Sequence, residues 1–292
     1  MKSIGETIRH IRILKGFRQQ DFSELTQAAI ASIESSKRNI TLDKLMSMLK
    51  DFKMSLREFE YIRNGYKLSP TDDIFFDFTN TKHSIDREQG NIILERAANY
   101  LDENPADFII YCMYVIEDVF LKISAQNSYD IVSLESREIW KTLHAREGWT
   151  YQEVFIMSKL FFIFPLDTGV SIIKRIEKEM NRYLNFCKDI NFDVSFYANV
   201  GKYYTHKHQY SLAKNYLNLA LPLCKKYDKP SIENDVYAHL AILDYINGDI
   251  GAEKEVHECI QIFRTMRRPA LAEDLESDWN TFFKDKQISF SR

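Results

Sequence analysis

Apolar residues recur at helical spacing near the N-terminus and divide the first stretch of the chain into five short segments. Ser3 and Glu6 open the first segment as a capping box, and Gly16 closes it. Two later segments begin after Thr41 and Ser55, each of which can cap a helix N-terminus. The pattern predicts five short α-helices.

The second and third predicted helices are separated by a very tight connection. Residues 19–25 form the second helix, and Thr26 can cap a third helix that buries Ile30 and Ile33. Two short helices joined in this way are typical of a helix-turn-helix, whose second element normally enters the DNA major groove. The predicted recognition helix spans residues 26–35.

Residues 19–39 resemble the Xre/Cro family of helix-turn-helix proteins. The resemblance rests on an Ile-x-x-Ile-Glu core that ends at Glu34 and on the Lys-Arg-Asn loop of residues 37–39. This chain departs from the family at residues 35–36, where Ser-Ser replaces the usual Arg-Gly, and at Ser32, where a basic residue is common. For Glu34 the resemblance implies a structural role, bracing the turn.

The same resemblance implies a set of DNA contacts. Three residues of the recognition helix are candidates to reach base edges: Gln27, Ala28 and Ser32. Among them, Gln27 can make a bidentate contact to adenine. Five further residues are expected to contact backbone phosphates: Arg18, Gln19, Lys37, Arg38 and Asn39. The alternative for Lys37 and Arg38 is an ordinary solvated pair in a loop.

Positive charge is concentrated in the same region. Residues 1–66 hold 12 Lys or Arg and 8 Asp or Glu, a balance of +4, and the chain totals of 39 and 42 leave a balance of −7 for the rest. This asymmetry suits a nucleic-acid surface at the N-terminus. A terminal imbalance of this size also arises by chance, so charge does not decide the function.

A polar connection separates this region from a longer helical one. Residues 64–73 combine Gly, Pro and polar residues without apolar periodicity. Beyond them, apolar-rich segments at residues 108–123, 154–164 and 170–184 are typical of helices, and no alternating strand pattern competes. The predicted division is a helix-turn-helix domain at 1–66, a linker at 67–80 and a helical domain at 81–292.

One helical repeat stands out in the second domain. Large and small residues fall at the offsets of a tetratricopeptide repeat: Tyr197, Val200, Gly201, Tyr204, Ala213, Leu217 and Ala220. A weaker second copy begins at Tyr237. Stacked repeats of this kind form an α-solenoid with a concave surface, which commonly binds a peptide or protein segment. The predicted fold is all-α, with a five-helix DNA-binding domain followed by a solenoid of tetratricopeptide-like repeats.

This domain combination resembles the Rgg/MutR-type quorum-sensing regulators of Gram-positive bacteria. Residues 149–154 and 160–164 are similar to that family's central helical segment. The resemblance implies a homodimer that binds a short secreted and reimported peptide and regulates nearby genes. A dimer is also expected because one small helix-turn-helix reads too few base pairs to select an operator.

Helical geometry points several residues of the repeats toward their inner surface. Five of them are candidate peptide contacts: Asn199, Lys202, His206, His239 and Tyr245. An Asn side chain can pair with a peptide backbone through its donor and its acceptor together. The alternative is that these are ordinary solvated helix residues, and His206 and His208 are expected at the surface rather than as metal ligands.

The sequence argues against several other classes of protein. The longest apolar stretch, residues 160–166, is far shorter than the roughly 20 residues of a membrane-spanning helix, and the N-terminus lacks the apolar run of a secretory signal. The four cysteines are scattered and are expected to be reduced, mostly buried thiols. No catalytic, metal-binding or cofactor-binding motif is present. A cytoplasmic regulator without a cofactor is expected, and the alternative is a repressor whose repeats serve only dimerisation or protein-partner binding.

Overall fold

The computed structural model describes residues 1–81, 87–126, 131–186 and 191–290, with side chains described as far as Phe283. The chain divides into two compact units, Met1–Asp77 and Phe78–Arg292. The described residues form α-helices joined by short connections, together with one 3₁₀ helix, and no strand occurs among them. This architecture is the predicted all-α class.

The first unit contains four short helices and most of a fifth. They are α1 (Ile4–Leu14), α2 (Gln27–Glu34), α3 (Leu42–Asp51), α4 (Leu56–Arg63) and α5 (Pro70–Asn80). The Ser3 hydroxyl and the Glu6 carboxylate complete the predicted capping box on α1. The Thr26 hydroxyl accepts a hydrogen bond from the amide of Ala29 and caps α2, as the sequence predicts.

Apolar side chains of α1 to α4 close into one core. Ile8 and Ile11 of α1 and Ile30 of α2 are fully enclosed, as their helical spacing predicts. Each such side chain contributes about 1.5–3 kcal/mol to folding. Gly5 lets α1 and α2 approach closely, because a Cβ atom at Gly5 would lie 2.0 Å from the carbonyl oxygen of Ile33. The core therefore holds α2 directly against α1.

The prediction of a second helix at residues 19–25 is wrong. These residues form turns and bends, so four helices rather than five lie between residues 1 and 66. The amide of Ser23, which a helix would pair with the carbonyl of Gln19, donates instead to the Asp51 carboxylate at 3.1 Å. Polar side chains can compete in this way with helical hydrogen bonds. The segment leading into α2 is therefore non-helical.

The segment predicted to be a linker, residues 67–80, is mostly helical. Helix α5 begins at Pro70, where the fixed φ of proline suits a first helical residue. Ile74 and Phe78 lie four residues apart and are both buried. The apolar periodicity starts only in the second half of the segment, after the Gly, Pro and polar residues on which the prediction rests. The boundary between the units, after Asp77, falls within it.

The second unit continues with α6 and ends with α15. Its helices in the described part of the chain are α6 (Arg87–Glu103), α7 (Phe108–Gln126), α8 (Leu134–His144), α9 (Tyr151–Ser158), the 3₁₀ helix Phe161–Ile163, α10 (Leu166–Met180), α11 (Phe192–His206), α12 (Tyr210–Lys226), α13 (Pro230–Ile246), α14 (Ala252–Thr265) and α15 (Pro269–Phe290).

The last five helices are stacked in two layers. Each helix from α11 to α15 packs on the next one in the chain, and α13 also packs on both α11 and α15. Helices α11, α13 and α15 therefore form one layer, and α12 and α14 lie against it, as in stacked helical repeats. Gly201 permits the predicted close approach of α11 and α12, because its Cβ would lie 2.6 Å from the Leu217 side chain.

The same kind of turn follows each of α11, α12, α13 and α14. One residue of each turn has a positive φ: His208 (56°), Asp228 (51°), Gly248 (112°) and Arg267 (56°). The amide of the next residue bonds to the carbonyl five positions earlier, as between Gln209 and Tyr204 at 2.8 Å. This is the Schellman closure of a helix C-terminus. A repeated turn gives successive helices a repeated geometry.

Candidate DNA-binding surface and polar cluster

The outer side of α2 carries the residues predicted to read DNA bases. Ile30 and Ile33 are buried in the core, whereas Gln27 and Ala28 are exposed and Ser32 is half-buried. Residues four apart in a helix lie on one face, so Ala28 and Ser32 share a side that Gln27 extends. Helix α2 therefore presents all three predicted residues on its solvent side.

A buried ion pair holds the C-terminal end of α2. Glu34 is 7% exposed as a whole residue, and its carboxylate accepts hydrogen bonds from Arg12 Nε at 2.5 Å and from Arg12 Nη2 at 3.0 Å. Arg12 Nη1 also donates to the carbonyl of Phe17 at 3.0 Å. The hydrogen bond to Glu34 raises the pKa of the Arg12 guanidinium. Glu34 thus braces the turn, as expected, and does not face solvent.

The two residues predicted to contact phosphate ahead of α2 are both engaged within the protein. The side-chain amide of Gln19 donates to Glu34 at 2.9 Å. The Arg18 guanidinium pairs with Asp21 at 3.1 Å, although the Arg18 side chain is 73% exposed. Hydrogen bonds from the amide and side chain of Arg18 lower the pKa of the Asp21 carboxyl. Arg18 remains accessible from solvent, whereas Gln19 belongs to the Glu34 network.

The predicted phosphate-contacting loop follows α2 directly. Ser36 adopts a φ of 57°, in the left-handed region where the resembling family has glycine. The amides of Lys37 and Arg38 then both donate to the carbonyl of Ser32, at 2.9 and 3.2 Å. The side chains of Lys37, Arg38 and Asn39 are exposed. The loop therefore places two cations beside the end of α2.

Six polar residues of α11, α13 and α15 come together in the second unit, and we call them the polar cluster. They form three pairs with a spacing of four residues: Lys202 and His206, Asp235 and His239, and Asp274 and Asp278. Residues at this spacing lie on one face of a helix. The layer of α11, α13 and α15 therefore brings three polar faces into one place.

Short contacts join five members of the polar cluster. Lys202 Nζ lies 2.7 Å from Asp235 Oδ2, and His239 Nε2 lies 3.6 Å from Asp235 Oδ1. On its other side, His239 Nε2 lies 3.5 Å from Asp278 Oδ2, and His206 Nε2 lies 3.6 Å from Asp278 Oδ1. Each of the two carboxylates thus lies between two nitrogen-bearing side chains.

Burial dominates the protonation of the polar cluster. It lowers the pKa of His239 to about 4, with a further contribution from the charge of Lys202, so the ring is neutral near pH 7. Burial also raises the pKa of Asp274 to about 6, with the charge of Asp278 adding to the effect. For Asp278 burial acts in the same upward direction, but the hydrogen bond from His206 and the nearby His239 and Lys202 bring its pKa down to about 2.

Three of the five predicted peptide contacts belong to the polar cluster, namely Lys202, His206 and His239. Asn199 is half-buried on α11, one turn before Lys202. Tyr245 lies elsewhere, in the core beneath α15, where its ring is 4.8 Å from that of Trp279. As a peptide contact Tyr245 is a poor candidate in this structure, because packing of α15 covers it.

Sequence reasoning missed four residues that complete these two sites. The sequence pattern does not pair Arg12 with Glu34, although a buried glutamate implies a cation nearby. Asp235 lies one turn before His239 and shares its face, so the four-residue spacing could have identified it. Asp274 and Asp278 lie on α15, for which no repeat pattern was recognised in the sequence.

The described cysteines have no functional signature. Cys112, Cys224 and Cys259 are buried free thiols, as expected, and Cys187 lies outside the described residues. Burial raises the pKa of Cys112 to about 12 and that of the other two to about 11. Within the described ranges, no group of His, Cys, Asp and Glu has the arrangement of a metal site, and no helix is long and apolar enough to cross a membrane.

Part of this chain matches a known protein family. The sequence model of the C-terminal domain of the helix-turn-helix transcriptional regulator Rgg matches residues 109–277. The matched region begins in α7 and ends in α15, so it includes the whole polar cluster except Asp278.

Solved structures share the fold over nearly the whole chain. A candidate transcriptional regulator from Listeria monocytogenes EGD-e is 17% identical, with a TM-score of 0.71, and the similarity covers 98% of this chain and 99% of that one. The SHP pheromone receptor Rgg2 of Streptococcus dysgalactiae is 12% identical, with a TM-score of 0.62 and coverage of 96% and 99%. PlcR of Bacillus thuringiensis, solved with the peptide PapR7 and DNA, is 17% identical, with a TM-score of 0.61 and coverage of 100% and 98%. These likenesses confirm the predicted fold class.

Proposed function

Because this chain belongs to the Rgg family of helix-turn-helix transcriptional regulators, we propose that it binds operator DNA through α2 and that a short peptide on the α11, α13 and α15 layer controls this binding. The observation that carries the first part is the outward side of α2, held in place by Glu34 and Arg12 and followed by an exposed cationic loop.

In this proposal the residues of the first unit have two roles. Gln27, Ala28 and Ser32 contact base edges, and Gln27 selects adenine through its amide. Lys37 and Arg38 hold a phosphate beyond the end of α2, with Asn39 beside them. On the other side Arg18 reaches a phosphate, whereas Gln19 supports the site through Glu34. Phosphate contacts position the protein, and base contacts select the sequence.

Two of the similar structures support control by a peptide. Rgg2 is a pheromone receptor, and PlcR was solved with both a peptide and DNA. In this chain we place the peptide on the layer that carries Asn199, Lys202, His206 and His239. This layer combines partly exposed polar side chains with the buried imidazole of His239, which suits an extended peptide that needs hydrogen bonds.

A homodimer in the cytoplasm completes the proposal. Two copies of α2 on one operator double the number of base pairs that are read, which one small domain cannot achieve alone. DNA and a reimported peptide are both met in the cytoplasm. Sedimentation at twice the chain mass of 34.5 kDa is the expected result for the free protein.

One observation favours a second candidate function, in which the repeats serve only dimerisation or partner binding. Helix α15 fills part of the layer with its own side chains, because Trp279 covers Tyr245 and Phe282 lies 5.1 Å from the ring of His206. A regulator of this type binds DNA in the same way but does not respond to any peptide.

Fluorescence anisotropy on DNA from upstream of the gene tests the proposal. Specific binding should weaken steeply with salt. The double variant Lys37→Ala/Arg38→Ala should lose about two phosphate contacts, so the slope of log affinity against log salt concentration should become shallower by about 2. The control variant Lys50→Ala/Arg57→Ala removes two exposed cations of the same unit and should bind normally. If the protein binds operator DNA as weakly as unrelated DNA, both with and without culture supernatant, the DNA-binding proposal is contradicted. Specific binding that no supernatant alters would favour the second candidate.

A further inference from the structure

The polar cluster carries an excess of negative charge. Its three carboxylates are Asp235, Asp274 and Asp278, and its only permanent cation is Lys202. The ring of His239 is neutral near pH 7 because burial lowers its pKa to about 4. A partly buried site that holds more carboxylates than cations is electrostatically unfavourable by itself, and a positive charge placed there would be stabilised.

Asp274 is the carboxylate that lacks a direct partner. Lys202 is already paired with Asp235 at 2.7 Å, and Asp278 lies 3.5–3.6 Å from two histidines. Among the described residues, Asp274 has neither a hydrogen bond nor an ion pair. Burial, together with the negative charges of Asp278 and Asp235, raises its pKa to about 6, although the charge of Lys202 acts in the opposite direction. Its ionised form is therefore strained by its surroundings.

His239 is a second observation that points to a ligand at the same place. The residue is fully buried, and neither ring nitrogen has a hydrogen-bond partner among the described residues. A neutral imidazole has one N–H donor and one lone-pair acceptor. In the tautomer that carries its proton on Nδ1, the Nε2 lone pair faces the carboxylates of Asp235 and Asp278, at 3.6 and 3.5 Å, so an N–H group from outside the chain can bridge these acceptors.

The cluster is partly exposed to solvent. The side chains of Lys202, Asp235 and His206 are 21%, 22% and 27% exposed, whereas that of His239 is only 1% exposed. The exposed side chains therefore form the rim and His239 forms the floor. A group that enters from solvent meets Lys202, Asp235 and His206 at the rim and the imidazole of His239 beneath them.

We propose that the polar cluster binds a cationic group of the regulatory peptide, an ammonium or a guanidinium, with Asp274 as the carboxylate that pairs with it. The inference rests on the proposed function, since it names the chemistry by which a peptide is recognised there. Both Asp274 and the imidazole of His239 accept hydrogen bonds, and a nitrogen cation donates them. The preferred peptide therefore carries a free N-terminus, a lysine or an arginine at the position that reaches the cluster.

The experiment uses the full-length protein and a random heptapeptide library with amidated C-termini. Bound peptides are resynthesised with each cation neutralised in turn, by N-terminal acetylation, lysine to norleucine or arginine to citrulline. Neutralising the one cation that reaches the cluster should lower the affinity of the peptide for the protein about tenfold or more. Asp274→Asn should cause a similar loss of affinity for the unmodified peptide. The Asp274→Asn variant and the neutralised peptide together should show no greater loss of affinity than either change alone. The control Glu258→Gln removes a carboxylate from α14, outside the cluster, and should bind like the wild type.

The pH dependence provides an independent readout. Asp274 has a pKa of about 6, so peptide affinity should fall about tenfold between pH 7 and pH 5 in the wild type, and it should change much less in Asp274→Asn. Peptides that bind equally well with every cation neutralised, or that are unaffected by Asp274→Asn at all pH values, would overturn the inference while leaving peptide binding intact. A library without any binder would instead refute the proposed peptide control, and the inference with it.

Discussion

The Glu34 carboxylate at the end of α2 accepts two hydrogen bonds from the Arg12 guanidinium of α1, at 2.5 and 3.0 Å. The two residues are 22 positions apart in the chain. The side chain of Arg12 is 14% exposed and that of Glu34 is 4% exposed, so both charges are largely removed from water. The pair therefore fixes α2 to α1 only while both partners are present.

We expect Arg12→Ala to destabilise the first unit by about 3 kcal/mol, because it leaves the buried Glu34 carboxylate without its cation. Urea denaturation followed by circular dichroism measures the change. Arg9→Ala provides the matched control, since Arg9 is an exposed arginine on the same helix and its loss should change stability by less than about 0.5 kcal/mol. Equal effects of the two substitutions would show that the buried pair does not brace α2.

Gln27→Ala should relax sequence selection without abolishing DNA binding. The side chain is exposed at the start of α2, and a lost bidentate contact to adenine costs about 1–3 kcal/mol at one base pair. A panel of operators with single base-pair changes measures this effect by anisotropy. The variant should bind equally well whichever base pair stands at one operator position, while the salt dependence of its affinity stays unchanged. Uniform weakening across the panel would instead mean that Gln27 contacts a phosphate.

Gly248→Ala should destabilise the second unit by about 1–2 kcal/mol, because Gly248 has a φ of 112°, which side-chain-bearing residues rarely adopt. Gly251→Ala is the control from the same connection. Its φ of −63° suits alanine, and its Cβ would lie 3.2 Å from Oδ1 of Asp249, an exposed side chain that can move aside, so we expect a change within about 0.5 kcal/mol. Thermal melting of the two variants compares them directly, and similar melting temperatures would rule out backbone strain as the reason for glycine at 248.

His239 and Asp274 should make opposite contributions to stability as the pH falls. The pKa of His239 is about 4 in the folded chain and ordinarily 6.5, so the unfolded chain binds more protons. The contribution of His239 to the free energy of unfolding is therefore present above pH 6.5 and is lost toward pH 4. The folded pKa of Asp274, about 6 against an ordinary 3.8, means that the folded chain binds more protons, so its contribution grows as the pH falls through 6.

The two effects are of similar size, on the order of 3 kcal/mol each, and should largely cancel in the wild type. Asp274→Asn should then lose stability on acidification from pH 6.5 to pH 4.5, whereas His239→Gln should gain it. Urea denaturation across this range measures the slopes, which separate the titrations from any packing change caused by the substitutions. Parallel curves for the two variants would contradict the opposed titrations.

Some of the DNA-binding surface could be predicted because its signals are local. The caps at Ser3 and Thr26 and the spacing of Ile30 and Ile33 each depend on residues within one helical turn. The chain itself therefore indicates where α1 and α2 begin and which sides they bury. The helix predicted at residues 19–25 failed because the amide of Ser23 bonds to a distant residue, Asp51.

The polar cluster could be predicted only in part, for the same physical reason. Helical spacing in the sequence identified Lys202, His206 and His239 as residues of one surface, but it did not show what they would meet. Asp274 and Asp278 reach the site only because α15 packs on α13, far along the chain. Their altered pKa values arise from burial, which depends on the packing of three helices.

The sequence by itself determined the all-α class, the helix caps of the first unit and the repeat centred on Gly201, because caps and periodicities act between neighbours in the chain. The tertiary structure alone decided that Glu34 pairs with Arg12, that Tyr245 is covered by Trp279, and that the polar cluster is short of positive charge. These properties depend on distances and burial between separate helices, and no local pattern specifies them.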